Sequence, residues 1–170
     1  MPVAANGGAG SFRLAAMSPV ILWLTLGLWV LPVVFLASAA FWSSPLWLPG
    51  LILLAIYGWV WLGFRPTRFV VHRDMLEVIW PLKRREIRRD RIAAVRLVNP
   101  RELRNEAGWC LRMGAGGLWG GFGWLWTQRR GLIHMYVSRT DGLIWIECAG
   151  GRPWLLTPEQ PEAFLRALSG

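Results

Sequence analysis

From Leu14 to Phe64 the chain runs through 51 positions without an Asp, Glu, Lys, Arg or His. Two nearly unbroken apolar segments lie inside this block, Val20–Trp42 and Leu46–Phe64, separated by Ser43-Ser44-Pro45. Crossing a hydrocarbon core of about 30 Å takes ~20 helical residues at ~1.5 Å each. The block is too long for one crossing and about right for two. Neither segment carries the polar stripe that a soluble surface helix needs. Ser43-Ser44-Pro45 is a turn signature, and Pro49 sits where a first helical turn tolerates proline. Pro32 falls inside the first segment and predicts a kink there. Trp42, Trp47, Trp59 and Trp61 fall near the segment ends, the depth that indoles prefer. The pattern predicts a membrane helical hairpin over 20–64, with spans at 20–42 and 46–64. Ala37-Ser38-Ala39 has the form of a leader cleavage site, yet the apolar run before it exceeds the about 7–15 residues of such leaders. A second apolar segment follows at once, so the hairpin is expected to stay uncleaved.

Past the Arg65-Pro66-Thr67-Arg68 junction, short alternating runs replace the continuous apolar pattern. Arg68–His72 and Leu76–Trp80 predict two strands around the turn Arg73-Asp74-Met75. In the second, Leu76, Val78 and Trp80 share one face and Glu77 takes the other. Ile92–Val98, Leu132–Ser138, Leu143–Cys148 and Pro153–Leu156 predict further strands. Thr140-Asp141-Gly142 and Gly150-Gly151 serve as turns. The spacing suggests an antiparallel meander. The end of the chain switches to helix: Thr157 or Gln160 can cap it, Pro158 and Pro161 suit its first turn, and Glu159 and Glu162 favour its N-terminus. Phe164, Leu165 and Leu168 give that helix an apolar face for docking on a sheet. Residues 65–170 therefore form an α+β domain, and residues 1–19 a short tail before the hairpin.

Charge divides the chain at the same place. The formal net charge is +9, and of the 19 basic residues all but Arg13 lie at Arg65 or later, as do all 10 acidic ones. The basic excess belongs to the domain and is not spread along the chain. Cytoplasmic flanks of membrane segments collect Lys and Arg, and Arg13 together with Arg65, Arg68 and Arg73 flank this hairpin. Both termini are expected on the cytoplasmic side of the cell membrane in a multi-pass arrangement. The spans contain no ionisable group, only the hydroxyls of Thr25, Ser38 and Tyr57, so they read as an anchor rather than a proton or ion pathway. Gly27, Gly50, Gly58 and Gly63 form no GxxxG pair.

The residues of the domain carry a family resemblance. Gly117-Leu-Trp-Gly-Gly-Phe-Gly-Trp (117–124), Tyr136, Ile144-Trp-Ile-Glu (144–147), Gly151-Arg-Pro-Trp-Leu-Leu (151–156) and Thr157-Pro-Glu-Gln-Pro-Glu-Ala-Phe-Leu (157–165) resemble the bacterial PH-domain family. Arg85-Glu86-Ile87 through Ile92 and Val95 resemble its early strands. The resemblance implies a pleckstrin-homology-like, partly open antiparallel barrel of about seven strands capped by a C-terminal helix. It also implies membrane helices ahead of the domain and a binding or scaffolding role rather than catalysis. The many tryptophans around the glycine stretch depart from the family pattern.

Two stretches are candidates for contact. In Lys83-Arg84-Arg85-Glu86-Ile87-Arg88-Arg89-Asp90-Arg91, strand alternation places Arg84, Glu86, Arg88 and Asp90 on one face and Arg85, Ile87, Arg89 and Arg91 on the other. Arg84, Arg85, Arg88 and Arg89, with Arg129 and Arg130, are candidate contacts for anionic lipid headgroups, each worth about 1 kcal/mol within a Debye length of the surface. The same arginines also fit a solvated edge that blocks strand pairing. The second stretch, residues 114–126, carries six glycines among Trp119, Phe122, Trp124 and Trp126. It reads as a flexible loop whose rings insert into the membrane surface, bind a partner, or pack on the domain's own core. It matches neither a phosphate loop nor a dinucleotide fingerprint.

No catalytic constellation, metal-ligand spacing or cofactor motif appears. His72 and His134 stand alone in apolar strands, and Cys110 and Cys148 are expected to be reduced thiols. No nucleic-acid recognition motif accompanies the basic charge. The expectation is a non-enzymatic, membrane-anchored interaction or scaffolding module. Its partners would be the bilayer, anionic lipids, and an unidentified membrane or cytoplasmic protein, with homo-oligomerisation left open. An accessory subunit of a membrane enzyme or transport complex, or an anionic-lipid sensor, is the alternative.

Overall fold

A computed structural model describes residues 10–42 and 45–169. Helix α1 spans Pro19–Trp42 and helix α2 spans Trp47–Gly63, packed against each other. The expected Ser43-Ser44 turn lies outside the described residues. Helix α1 has the length and hydropathy to cross a membrane. Helix α2 is equally apolar but has 17 residues, or about 26 Å of rise, so the second full-length span expected over 46–64 is not seen. Pro32 lies inside α1 and lacks the N–H that would bond the Leu28 carbonyl one turn earlier. The Tyr57 hydroxyl of α2 donates to that carbonyl at 2.8 Å. Gly50 brings the backbones close: a Cβ there would meet Leu36 Cδ2 at 2.9 Å.

The four-stranded sheet has the order β1-β2-β3-β4, with β1 Gly10–Arg13, β2 Arg68–Val71, β3 Met75–Ile79 and β4 Arg84–Arg88. Residues 10–13, expected as tail, thus form an edge strand antiparallel to β2. A Gly-Ser-Phe-Arg segment has one apolar position, too few to reveal a period. The inner face of this sheet presents Phe69, Val71, Leu76, Val78 and Ile87, all buried.

The second sheet has six strands in the order β5-β9-β10-β8-β7-β6. They are β5 Ile92–Val98, β6 Cys110–Gly116, β7 Gly121–Thr127, β8 Gly131–Val137, β9 Leu143–Cys148 and β10 Trp154–Leu156. The expected meander fails at two places: β5 pairs with β9 instead of a sequence neighbour, and β10 inserts between β8 and β9 and runs parallel to β8. In place of the expected partly open barrel of about seven strands, the domain has two sheets that do not close, with ten strands among the described residues, and keeps the expected closing helix. One core fills the space between the sheets, where Phe122, Ile144, Ile146 and Leu156 meet Phe69, Leu76 and Val78. The C-terminal helix α4, Pro161–Ser169, covers it with Phe164 and Leu168. A second core lies on the far face of the six-stranded sheet, where Leu125, Ile133, Trp145 and Leu155 pack near Leu103 of helix α3, Pro100–Ala107. An Asn99–Glu102 capping box starts α3.

The glycine-rich stretch is not a flexible loop. Its two halves are β6 and β7, fully paired from Cys110↔Thr127 to Gly116↔Gly121. The intervening turn is closed by Gly117 N–H donating to the Gly120 carbonyl at 3.0 Å. Gly120 has φ 150°, and a Cβ there would run into the Val137 carbonyl oxygen. The glycines therefore serve close strand approach, which composition alone reads as mobility.

Candidate functional site

Sheet connectivity defines one end of the domain. Helix α1 departs after Arg13, the last residue of β1, and α2 returns just before Arg68, the first residue of β2. Arg13 and Arg68 are directly paired. Both helices therefore join the same end of the same sheet. Register then carries the row on through Arg68↔Ile79 and Ile79↔Arg84. Directly paired residues share a face, so Arg13, Arg68 and Arg84 project together from the outer face, opposite the buried Phe69, Val78 and Ile87. All three are exposed.

Two more cations complete this collar. The Arg65 guanidinium lies 4.2 Å from the Trp61 ring, and burial lowers its pKa. Lys83 sits on the β3–β4 turn with its ammonium 5.2 Å from the Trp80 ring and 5.5 Å from Phe64. Burial, and then the neighbouring Arg85, lower its pKa. The indole N–H of Trp80 donates to the Phe64 carbonyl at 2.9 Å, tying this turn to the end of α2. Leu82, at the tip, is 63% exposed. Arg65 and Lys83 thus lie over aromatic rings where α2 meets the domain.

The β6–β7 turn docks on the same end. Thr25 Oγ1 of α1 accepts from Trp119 N–H at 3.0 Å and lies within hydrogen-bond reach of the Ile21 and Gly117 carbonyls. Trp119 packs edge-on against Trp61 at 4.8 Å and Tyr57 at 6.5 Å. Trp119 and Phe122 are buried in the core between the sheets. Trp124 and Trp126 stay exposed on the other half of β7 and share a face with Leu111 and Met113 of β6. With Trp109, which meets Trp126 edge-on at 6.1 Å, they form an uncovered apolar patch.

The candidate arginines separate by position along the strands. Arg84 belongs to the collar and pairs with Glu77 at 3.5 Å. Arg88 lies four residues further, about 13 Å along the strand, and pairs with Asp90 at 2.7 Å. Arg89 donates to the carbonyls of Ala167 and Leu168 at 2.8 and 2.7 Å, so it closes the C-terminus of α4. Arg129 and Arg130 sit on the β7–β8 turn, at the opposite end of β7 from the docked turn. Arg129 donates to the Asn105 carbonyl, and Arg130 pairs with Glu147 at 3.1 Å and Glu106 at 3.7 Å. Arg96 makes a bidentate pair with the same Glu106 and holds that carboxyl below its ordinary range. Arg85 turns inward, 5.8 Å from the Trp154 ring. The six candidates therefore do not form one surface. Arg13, Arg65, Arg68 and Lys83 were not among them; the signal of the three arginines was proximity to the uncharged block, and that of Lys83 was its place at the start of the basic run.

The order of these elements, with early antiparallel strands, a second sheet and a closing helix, agrees with a match over residues 67–170 to the bacterial PH domain. The chain belongs to the bacterial PH-domain family. No curated protein and no solved structure matches it. In this bacterial PH domain, strand β1 and both apolar helices lie ahead of the matched region, yet β1 completes the first sheet and Thr25 and Tyr57 are built into the domain's packing.

Proposed function

We propose that this bacterial PH domain is a non-enzymatic interaction module held at the cytoplasmic face of the cell membrane. Its hairpin inserts from that face and returns to it. The observation that carries the reading is the Arg13–Arg68–Arg84 row at the point where both apolar helices leave the domain. Pairing of β1 with β2 fixes both ends of the hairpin on one side, and positive flanks favour the cytoplasmic side. Helix α1 crosses, and the shorter α2 completes the return with its Arg65 end drawn to the headgroups. Anionic lipid then holds the collar, at about 1 kcal/mol per cation.

The uncovered face of Leu111, Met113, Trp124 and Trp126 is the surface for a protein partner. Trp126 lies five residues along β7 from the docked end, about 17 Å, beyond the depth at which a ring would reach an interface at the collar. A photo-crosslinker at Leu111 is expected to join one partner in native membranes, whereas the same group at Arg73, on the other sheet, does not.

Sidedness is tested with the exposed Cys110. In a Cys148→Ser background, a membrane-impermeant maleimide is expected to label Cys110 only after the cells are permeabilised. Labelling in intact cells overturns the cytoplasmic placement.

A further inference from the structure

A cleft of about 470 Å³ opens between strand β4 and the β9–β10 turn. The Ala149 N–H donates to the Arg91 carbonyl at 2.7 Å and holds its two walls together. Arg85 and Arg88 enter from β4, Arg91 from the corner after it, and Arg152 from the opposite turn. Arg88 has Asp90 as a partner. Among the described residues, Arg85, Arg91 and Arg152 make no ion pair and no side-chain hydrogen bond. Glu86 is the one carboxylate in the lining. Like charges gathered without counter-charge repel one another, and an entering anion relieves that repulsion.

The floor of the cleft includes His134, 8% exposed, with its Nδ1 buried and without a hydrogen-bond partner. Its ring lies between Trp154 at 4.5 Å and Trp124 at 6.5 Å. Burial first, then the charges of Arg85 and Arg152, hold His134 neutral, with its pKa lowered to about 4. Arg85 and Arg152, from different elements, line the same cleft as His134.

We infer that this cleft binds the phosphate group of a small phosphorylated molecule from solution. Guanidinium forks match phosphate oxygens two at a time, and the volume falls within the about 300–1,000 Å³ of small-molecule sites. On β4 the cleft begins at Arg85, next to Arg84 of the collar but on the opposite face of the strand. The residues that line it carry the inference, which stands without the membrane placement. An anion there offsets the fields of Arg85 and Arg152, so binding raises the pH at which His134 takes up a proton. The other titratable groups facing the cleft are Glu86 and Cys148, on β4 and β9.

The test uses the full chain in neutral-lipid nanodiscs, titrated with inorganic phosphate and pyrophosphate, with sodium chloride at equal ionic strength as control. The chain has two histidines, so a His72→Asn variant assigns the His134 ring resonances by NMR. Phosphate is expected to move the His134 ring signals and raise its titration midpoint by at least one pH unit; chloride does neither. Arg152→Gln, on an exposed turn, and Arg85→Gln are each expected to weaken phosphate binding at least tenfold. Equal responses to phosphate and chloride, or unchanged binding in both variants, overturn the inference. Nanodiscs containing phosphatidic acid separate the sources: a His134 response to that lipid but not to dissolved phosphate overturns the assignment to a soluble ligand.

Discussion

Two residues in this protein carry consequences that their own types do not announce. Tyr57 supplies the missing donor in the partner helix, where Pro32 leaves the Leu28 carbonyl without its usual N–H. A Tyr57→Phe change keeps the ring and its edge contacts with Trp29 and Trp119 but leaves that carbonyl unpaired. The expected cost is about 1 kcal/mol, read as a lower unfolding midpoint in detergent, and a Pro32→Ala change should erase the difference between Tyr and Phe. His134 makes stability depend on pH. The unfolded chain takes up its proton near pH 6.5 and the folded chain near 4, so the unfolded state binds more protons between those values. Stability is expected to fall as pH drops from 6.5 to 4, and this slope should vanish in His134→Phe. Glu106 acts lower: its folded pKa is depressed, so its contribution holds above the ordinary carboxylate value and is lost below it. The two groups therefore separate on a stability profile.

At the scale of elements, Arg89 shows how a charge run can be structural. Sequence alternation assigns it a face of a strand, but the strand ends at Arg88 and a short 3-10 turn follows, Arg89–Arg91. That turn aims the guanidinium at the last carbonyls of α4, where positive charge and donors are both favoured. Arg89→Ala is expected to destabilise the domain by about 1–2 kcal/mol and to speed hydrogen exchange in α4 first. Equal exchange in α4 would deny the capping role. The same scale shows what the sequence makes legible. Continuous apolar runs and clear alternation locate α1, α2, β2, β3, β5, β8, β9 and α4 to within a few residues, because one face of each must be buried. Strand β6 and strand β7 escape notice because glycines at 114, 116, 121 and 123 replace the side chains that would show a period. Helix α3, with Leu103 as its one large apolar residue, depends on its capping box rather than an amphipathic face. The site was harder still: Arg13 and Arg84 are 71 positions apart, and only strand register makes them neighbours.

At the scale of the whole molecule, the domain and its hairpin are one packed unit, and that decides which charges can meet a membrane. Trp119 in the β6–β7 turn and Tyr57 in α2 belong to the same core as Phe69 and Phe164, so the helices hold a fixed end of the domain at their base. Arg13, Arg68 and Arg84 lie at this end, whereas Arg129 and Arg130 lie at the far end of β7 and are engaged with α3 and β9. Headgroup attraction decays within about 8–10 Å, less than the length of a seven-residue strand. Charge removal at the two ends should therefore have unequal effects. In nanodiscs, hydrogen exchange at Leu82 and Lys83 is expected to be slower with anionic than with neutral lipid, and the difference should disappear at high salt. Replacing Arg13, Arg68 and Arg84 together with Gln should abolish the difference, while Arg129→Gln with Arg130→Gln should preserve it. The reverse result would place the membrane surface at the other end of the sheets, which the connection of both helices to β1 and β2 does not permit without unpacking Trp119 from the hairpin.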